Sequence, residues 1–264
     1  MAKKTIIKLI IFLGLTLILI ILLDLIYSSY SNKIKFQNSI LSHTANNSIF
    51  SIDKIVFFSS CNSSSTVNAN STITIKDLYQ YSDIAIFINN SSDNENYNLE
   101  NTLKEVYIEN ISFTTPPYLG KPSLYTQTLN NFATGTFLQE NKITDLVSFD
   151  ISSDDVIDYS SSALHNNCAT PITLCYVNSN IINDYTISNT ENITYDGNLL
   201  NLCNIPAKNL ECSISFDIYI VNNINQKFKC PVYFKIPLSG ETSSIYDGNY
   251  IFEKNTKFIF YKIF

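Results

Sequence analysis

Cys212-Ser213-Ile214-Ser215-Phe216-Asp217-Ile218-Tyr219-Ile220 alternates apolar and polar residues without a break. Side chains of a strand point to opposite faces with period two, so this stretch predicts a strand with one face buried and the other in water. Asn222-Asn223 follows, and residues 227–236 resume the alternation, which makes the pair a predicted β-hairpin. Outward from this hairpin the same signature returns at residues 54–58, 72–75, 83–88, 146–151, 172–177 and 185–187. In residues 103–113 the apolar positions Leu103, Val106, Ile108, Ile111 and Phe113 are two or three apart, and a break in strict alternation predicts a bulge.

Breakers separate these runs. The Ser/Asn-rich residues 61–70 and 89–100 predict loops, and residues 77–82 predict a connection. Thr115-Pro116-Pro117 ends a ladder, because proline has no N–H to donate. Gly135-Thr136-Phe137 reads as a short strand, and residues 152–170 as a Ser/Asp/Asn loop with one helical turn near 156–159. Tyr195-Asp196-Gly197-Asn198 recurs as Tyr246-Asp247-Gly248-Asn249, and Asp-Gly suits tight turns. The chain closes on the apolar residues 250–252 and 257–264, which should be buried, since an exposed apolar edge invites aggregation. Many short strands and no helix beyond the N-terminal segment predict an all-β fold: an antiparallel β-sandwich, immunoglobulin-like or jelly-roll-like, after one N-terminal transmembrane helix.

That helix is predicted over residues 6–27. Residues 9–23 are apolar except for Gly14 and Thr16. At about 1.5 Å per residue the segment reaches roughly 33 Å, against a hydrocarbon core of about 30 Å. Lys3, Lys4 and Lys8 precede the apolar run and Asp24 follows it, so the N-terminus is expected in the cytoplasm and the bulk of the chain outside. A cleaved signal peptide is the alternative, with Ser28 and Ser29 near the cut but no Ala-x-Ala pattern. The expected organisation is therefore an anchor over 1–27, a polar stalk over 28–52 and an extracytoplasmic β domain over 53–264, with two sub-domains meeting near 150–170 as an option.

Composition excludes some functions. The chain has a formal net charge of -6 and contains no arginine, while its lysines are scattered. Phosphate recognition relies on Arg forks and basic stripes, so nucleic acid is not an expected partner. Abundant Ile, Asn, Lys, Tyr and Phe reflect AT-rich codons. The sequons headed by Asn46, Asn62, Asn70, Asn89, Asn90, Asn110 and Asn192 are common by chance in so Asn-rich a chain.

Three constellations could carry chemistry. Cys61, Cys168, Cys175, Cys203, Cys212 and Cys230 are even in number, which suggests disulfides outside the cell, with free buried thiols as the alternative; no Cys-x-x-Cys supports a zinc site. His165-Asn166-Asn167-Cys168 places one of the two histidines near a thiol, the minimum for a cysteine nucleophile; a loop histidine beside a structural cysteine is the plainer reading. Asp150, Asp154, Asp155 and Asp158 could form a weak Ca²⁺ loop, although their spacing matches no Ca²⁺-loop motif and a solvated acidic loop is the expectation. His43 stands alone in the stalk. No hydrolase motif or phosphate-binding Gly loop is present. No catalytic, cofactor-binding or metal residue is assigned.

At Leu78-Tyr79-Gln80-Tyr81-Ser82-Asp83-Ile84-Ala85-Ile86-Phe87-Ile88, at Lys121-Pro122-Ser123-Leu124-Tyr125 and at Leu129-Asn130-Asn131-Phe132 the chain resembles single-pass, membrane-anchored proteins of AT-rich bacteria. The resemblance covers the anchor and residues 54–150. It implies a bacterial surface location and no particular activity. The expectation is a cell-surface module that binds a surface protein or a cell-wall component, or acts structurally; a surface hydrolase with an unrecognised site is the alternative.

Overall fold

β1 (Phe50–Val67) and β2 (Thr72–Asn90) form a long antiparallel hairpin, and the rest of the β fold is built against it. The computed structural model describes residues 12–35 apart from 18, 25 and 29, and then 49–69, 72–90, 98–188, 199–236 and 250–263. Both strands run through segments that the sequence assigns to loops. Residues 61–67 continue β1, and residues 77–82 lie inside β2. Polar serines and asparagines mislead here because the strands stay paired to each other, with the irregularity absorbed by a register shift between Asn62 and Ser64 and a positive φ of 50° at Asp77.

Further strands follow: β3 (Leu103–Thr115), β4 (Lys121–Thr126), β5 (Lys142–Ile143), β6 (Val147–Phe149), β7 (Ile151–Ser152), β8 (Leu164–His165), β9 (Ile172–Ile182) and β10 (Tyr185–Ser188). After the one-turn helix α2 (Leu199–Leu202) come β11 (Cys212–Asn222), β12 (Lys227–Ile236), β13 (Tyr250–Ile259) and β14 (Tyr261–Lys262). One sheet has seven strands in the order β13-β1-β2-β9-β4-β5, with β10 added to β2; the other has five, β14-β12-β11-β3-β6. Every pairing in both is antiparallel, while β7 and β8 form a small parallel pair. The predicted hairpin is β11–β12, and the predicted bulge lies in β3, where Asn110 has φ 57° and the register with β11 shifts.

Alternation decides what goes inside. Phe50, Ile52, Ile55 and Phe57 of β1, Ile84, Ile86 and Ile88 of β2, and Ile214, Phe216, Ile218 and Ile220 of β11 share one apolar core with the inner face of β12. Aromatic pairs stitch the two sheets: Phe50 meets Phe228 edge-on at 5.3 Å, and Phe57 meets Phe234 at 5.1 Å. The fold is thus an antiparallel β-sandwich. A second apolar cluster fills one end, where Leu199 and Leu200 of α2 and Leu210 pack on Cys61, Ile75, Leu78 and Ile181. The final segment behaves as expected at Phe260, which is buried and packs near Phe50.

Residues 48–264 form one unit and residues 1–47 another. In the latter, α1 (Phe12–Lys35) is long and apolar enough to cross a membrane and runs past Tyr27 into residues read as stalk. Its apolar side chains, Phe12, Leu13, Ile20 and Leu23 among them, are exposed rather than packed on protein. Residues 36–48 of the expected stalk, His43 among them, and both Tyr-Asp-Gly-Asn turns lie outside the described residues, whereas the last residues read as stalk, from Phe50 to Ile52, already belong to β1. Two further expectations fail locally. Residues 135–137 are not a strand, and residues 156–159 are irregular rather than a helical turn.

Candidate functional site

The β7–β8 segment carries both the histidine, in β8, and the acidic cluster, with Asp150 just before β7 and Asp154, Asp155 and Asp158 in the connecting loop. Ser152 pairs with His165 across the parallel strands, and the loop folds over a half-open cavity of about 140 Å³ lined by Ser152, Asp154, Val156, Asp158, His165 and Thr170 among others. Its carboxylates are occupied locally. Asp154 accepts from Ser152 Oγ at 3.1 Å, and Asp158 Oδ1 accepts from Ser160 Oγ at 2.6 Å and from its N–H at 2.9 Å. Those Ser160 bonds hold the Asp158 carboxyl below its ordinary value. Asp150 and Asp155 are exposed, and no group of three or more His, Cys, Asp or Glu suited to a metal occurs among the described residues. The four aspartates therefore read as a solvated loop.

His165 is also committed. Its Nε2 lies 2.8 Å from the Asp154 carbonyl oxygen, and its Nδ1 contacts Asn167 Oδ1. A general base needs a ring nitrogen within reach of a proton to abstract, and both nitrogens here point into the loop itself. Cys168 follows a tight turn in which its N–H donates to the His165 carbonyl at 2.9 Å, with φ 66°. The turn sends the thiol onto the main core, away from the imidazole contacts. Neighbours in sequence are thus not a catalytic pair in space.

The expected disulfides are absent: all six cysteines are free. Cys212 and Cys230 face the main core, Cys61 and Cys203 the second cluster, and Cys175 the outer face of the seven-stranded sheet. Burial pushes every thiol up, to about 12 at Cys168 and Cys230, to about 11 at Cys203 and Cys212, and well above the ordinary range at Cys61 and Cys175. Thiolate is the nucleophile and the metal ligand, so burial works against both roles.

One buried carboxylate escaped the sequence reading. On the outer face of the seven-stranded sheet, Tyr79, Tyr81 and Asp83 of β2 lie beside Cys175 and Val177 of β9 and Tyr125 of β4. Residues 127–137 cover them. Asp83 is 2% exposed; it accepts from the Ala133 N–H at 2.7 Å and from Gln127 Nε2 at 3.4 Å. Gln127 Nε2 also donates to the Thr136 carbonyl at 3.0 Å, so this amide and this carboxylate fasten the covering loop. The signal was an aspartate heading the apolar run Ile84-Ala85-Ile86-Phe87-Ile88.

The outer face of the five-stranded sheet is different: Tyr219 is 9% exposed there, and Tyr107, Lys227 and Lys229 are half-buried. Tyr107 and Tyr219 are cross-strand partners whose rings stack at 4.9 Å, inclined by 7°. Lys227 Nζ lies 4.9 Å from the Tyr219 ring centre and 5.2 Å from that of Tyr107. Lys229 sits over Tyr219 and pairs with Asp217 at 2.9 Å, and Asn110 donates to the same Asp217 oxygen at 2.7 Å. Tyr233 on this face is 49% exposed. No protein-family model matches the chain, and neither curated proteins nor solved structures include a match.

Proposed function

We propose that this protein is a single-pass, membrane-tethered β-sandwich that works by contact on the outer side of a bacterial membrane, with its N-terminus in the cytoplasm. The observation that carries this reading is the Tyr107–Tyr219–Lys227–Lys229 cluster on the outer face of the five-stranded sheet, where two stacked rings carry two lysine amines. A membrane-crossing apolar helix preceded by Lys3, Lys4 and Lys8 supports the orientation. Tyrosines and lysines on a flat sheet, interleaved with Asp217 and Glu109, offer ring faces, donors and acceptors together. That combination suits a hydroxyl-rich, charged glycan of the cell wall better than an apolar protein surface.

The test is co-sedimentation of the full chain in detergent with purified cell-wall polymer, alongside the double variant Tyr219→Ala/Lys227→Ala. Pelleting of the natural chain, reduced at least tenfold in the variant, is the expected result. Equal pelleting of both, or none by either, sinks the glycan reading; cross-linking of this face to an envelope protein instead would move the assignment to a protein partner.

A further inference from the structure

The sandwich interior contains a polar layer between its two apolar clusters. It occupies two adjacent rows of the seven-stranded sheet. In one, Cys61 pairs with Gln80 and Gln80 with Asn178; in the next, Ser59 pairs with Ser82 and Ser82 with Tyr176. Cross-strand partners share a face. Along β1, β2 and β9 this face is the one that carries Phe57, Ile84 and Leu174 into the main core. Gln80, Asn178, Tyr176 and Ser82 are each fully buried, at 0% exposure.

The serines satisfy each other, Oγ to Oγ at 2.7 Å. Asn178 Nδ2 donates to the Leu119 carbonyl at 2.8 Å. Four atoms of the layer lack an oxygen or nitrogen partner: both Nε2 and Oε1 of Gln80, Oδ1 of Asn178 and the hydroxyl of Tyr176, the last beside the Cys212 thiol. Ser63 Oγ, at the β1 irregularity, is a fifth orphan outside these rows. Although Gln80 and Asn178 are partners in register, the Gln80 amide does not reach Asn178 Oδ1, since neither atom is bonded. Native interiors rarely leave such groups orphaned, and three side chains from adjacent rows with the same defect point to a common occupant.

Its chemistry follows from the atoms. Gln80 offers a donor and an acceptor, Asn178 an acceptor, and Tyr176 both. A metal cation takes oxygen ligands, usually with carboxylates, and would meet the Gln80 NH₂; this layer has no carboxylate or histidine. An anion would lack a compensating cation. A small neutral molecule that both donates and accepts meets every requirement, and water in a buried polar site makes two to four such bonds. We propose that the layer is an internal water-binding site, with Gln80, Asn178 and Tyr176 as its ligands.

The experiment is a crystal structure of the full chain at a resolution that shows ordered water, with calorimetric unfolding of Gln80→Met and Tyr176→Phe. Density within hydrogen-bond distance of the Gln80 amide and Asn178 Oδ1, lost in Gln80→Met together with a lowered unfolding midpoint, is the expected result. A Gln80 amide bonded directly to protein atoms overturns the proposal, as does a higher midpoint for Gln80→Met with no density in the natural chain. Should Gln80→Met not fold, Tyr176→Phe decides: the hydroxyl-bound water predicts a lower midpoint, and an unchanged or raised midpoint sinks it.

Discussion

Asp83 is where a single residue has the clearest consequence. Burial raises its carboxyl above the ordinary value of 3.8, and the bonds from Ala133, Cys175 and Gln127 offset only part of that. Around it stand Cys175, Tyr81 and Tyr79, and none brings a positive charge. The folded state therefore keeps the proton over a pH range in which the unfolded chain has already released it. Protonated Asp83 contributes stability that is fully present below the unfolded value and is lost as pH rises through the folded one. Unfolding midpoints of the natural chain, measured from pH 4 to pH 8, should fall with pH more steeply than those of Asp83→Asn; parallel curves would show that this carboxyl does not contribute. Gly120 makes a second residue-scale prediction. Its φ is 97°, and a Cβ there would lie 2.1 Å from Asn178 Oδ1. Gly120→Ala should lose about 1–3 kcal/mol in a urea titration, from a backbone strained for any L side chain; a loss below about 0.5 kcal/mol would mean that the loop readjusts freely.

Among the elements, β1 joins β2 on one side to β13 on the other. Its Phe50 touches Phe228 at 5.3 Å and Phe260 at 6.4 Å, which ties the hairpin to the five-stranded sheet. Phe50→Ala should cost about 3–5 kcal/mol, the range for a buried aromatic removed from a packed core. The same substitution at the exposed Tyr118 should change stability by less than about 0.5 kcal/mol. Denaturant midpoints of the two variants check both statements. At this scale β11 and β12 were legible because Ile214, Phe216, Ile218 and Ile220 alternate strictly with Ser215, Asp217 and Tyr219, of which Ser215 and Asp217 reach the surface. The middle of the β1–β2 hairpin was not. Residues 61–67 and 77–82 carry loop-like letters, and only cross-strand pairing holds them extended.

For the whole molecule, the distribution of thiols gives a further test. Five cysteines are buried and Cys168 is intermediate, all unpaired. In the folded chain a bulky alkylating reagent should modify no thiol rapidly, with Cys168 first among slow sites, and all six should react at once in denaturant. Fewer than six in denaturant without reductant would reveal a disulfide. The sandwich itself explains why cysteine arithmetic misled: an even count in a secreted-type chain suggests staples, but this chain is long enough to bury a large apolar core without them.

By itself the sequence determined the apolar N-terminal helix, the all-β class, the β11–β12 hairpin and the bulge near Asn110, because each is written in local periodicity or in a run of one solvent preference. Only the tertiary structure decided which candidates meet. His165 and Cys168 part because a turn at positive φ sends ring and thiol to different places. Asp83 becomes a buried clasp because residues 127–137 fold over it. Gln80, Asn178 and Tyr176 become one polar layer because β2 and β9 pair in a register that places distant residues side by side. Local pattern reports a residue's own preference for water; the company it keeps depends on which strands close the sheet.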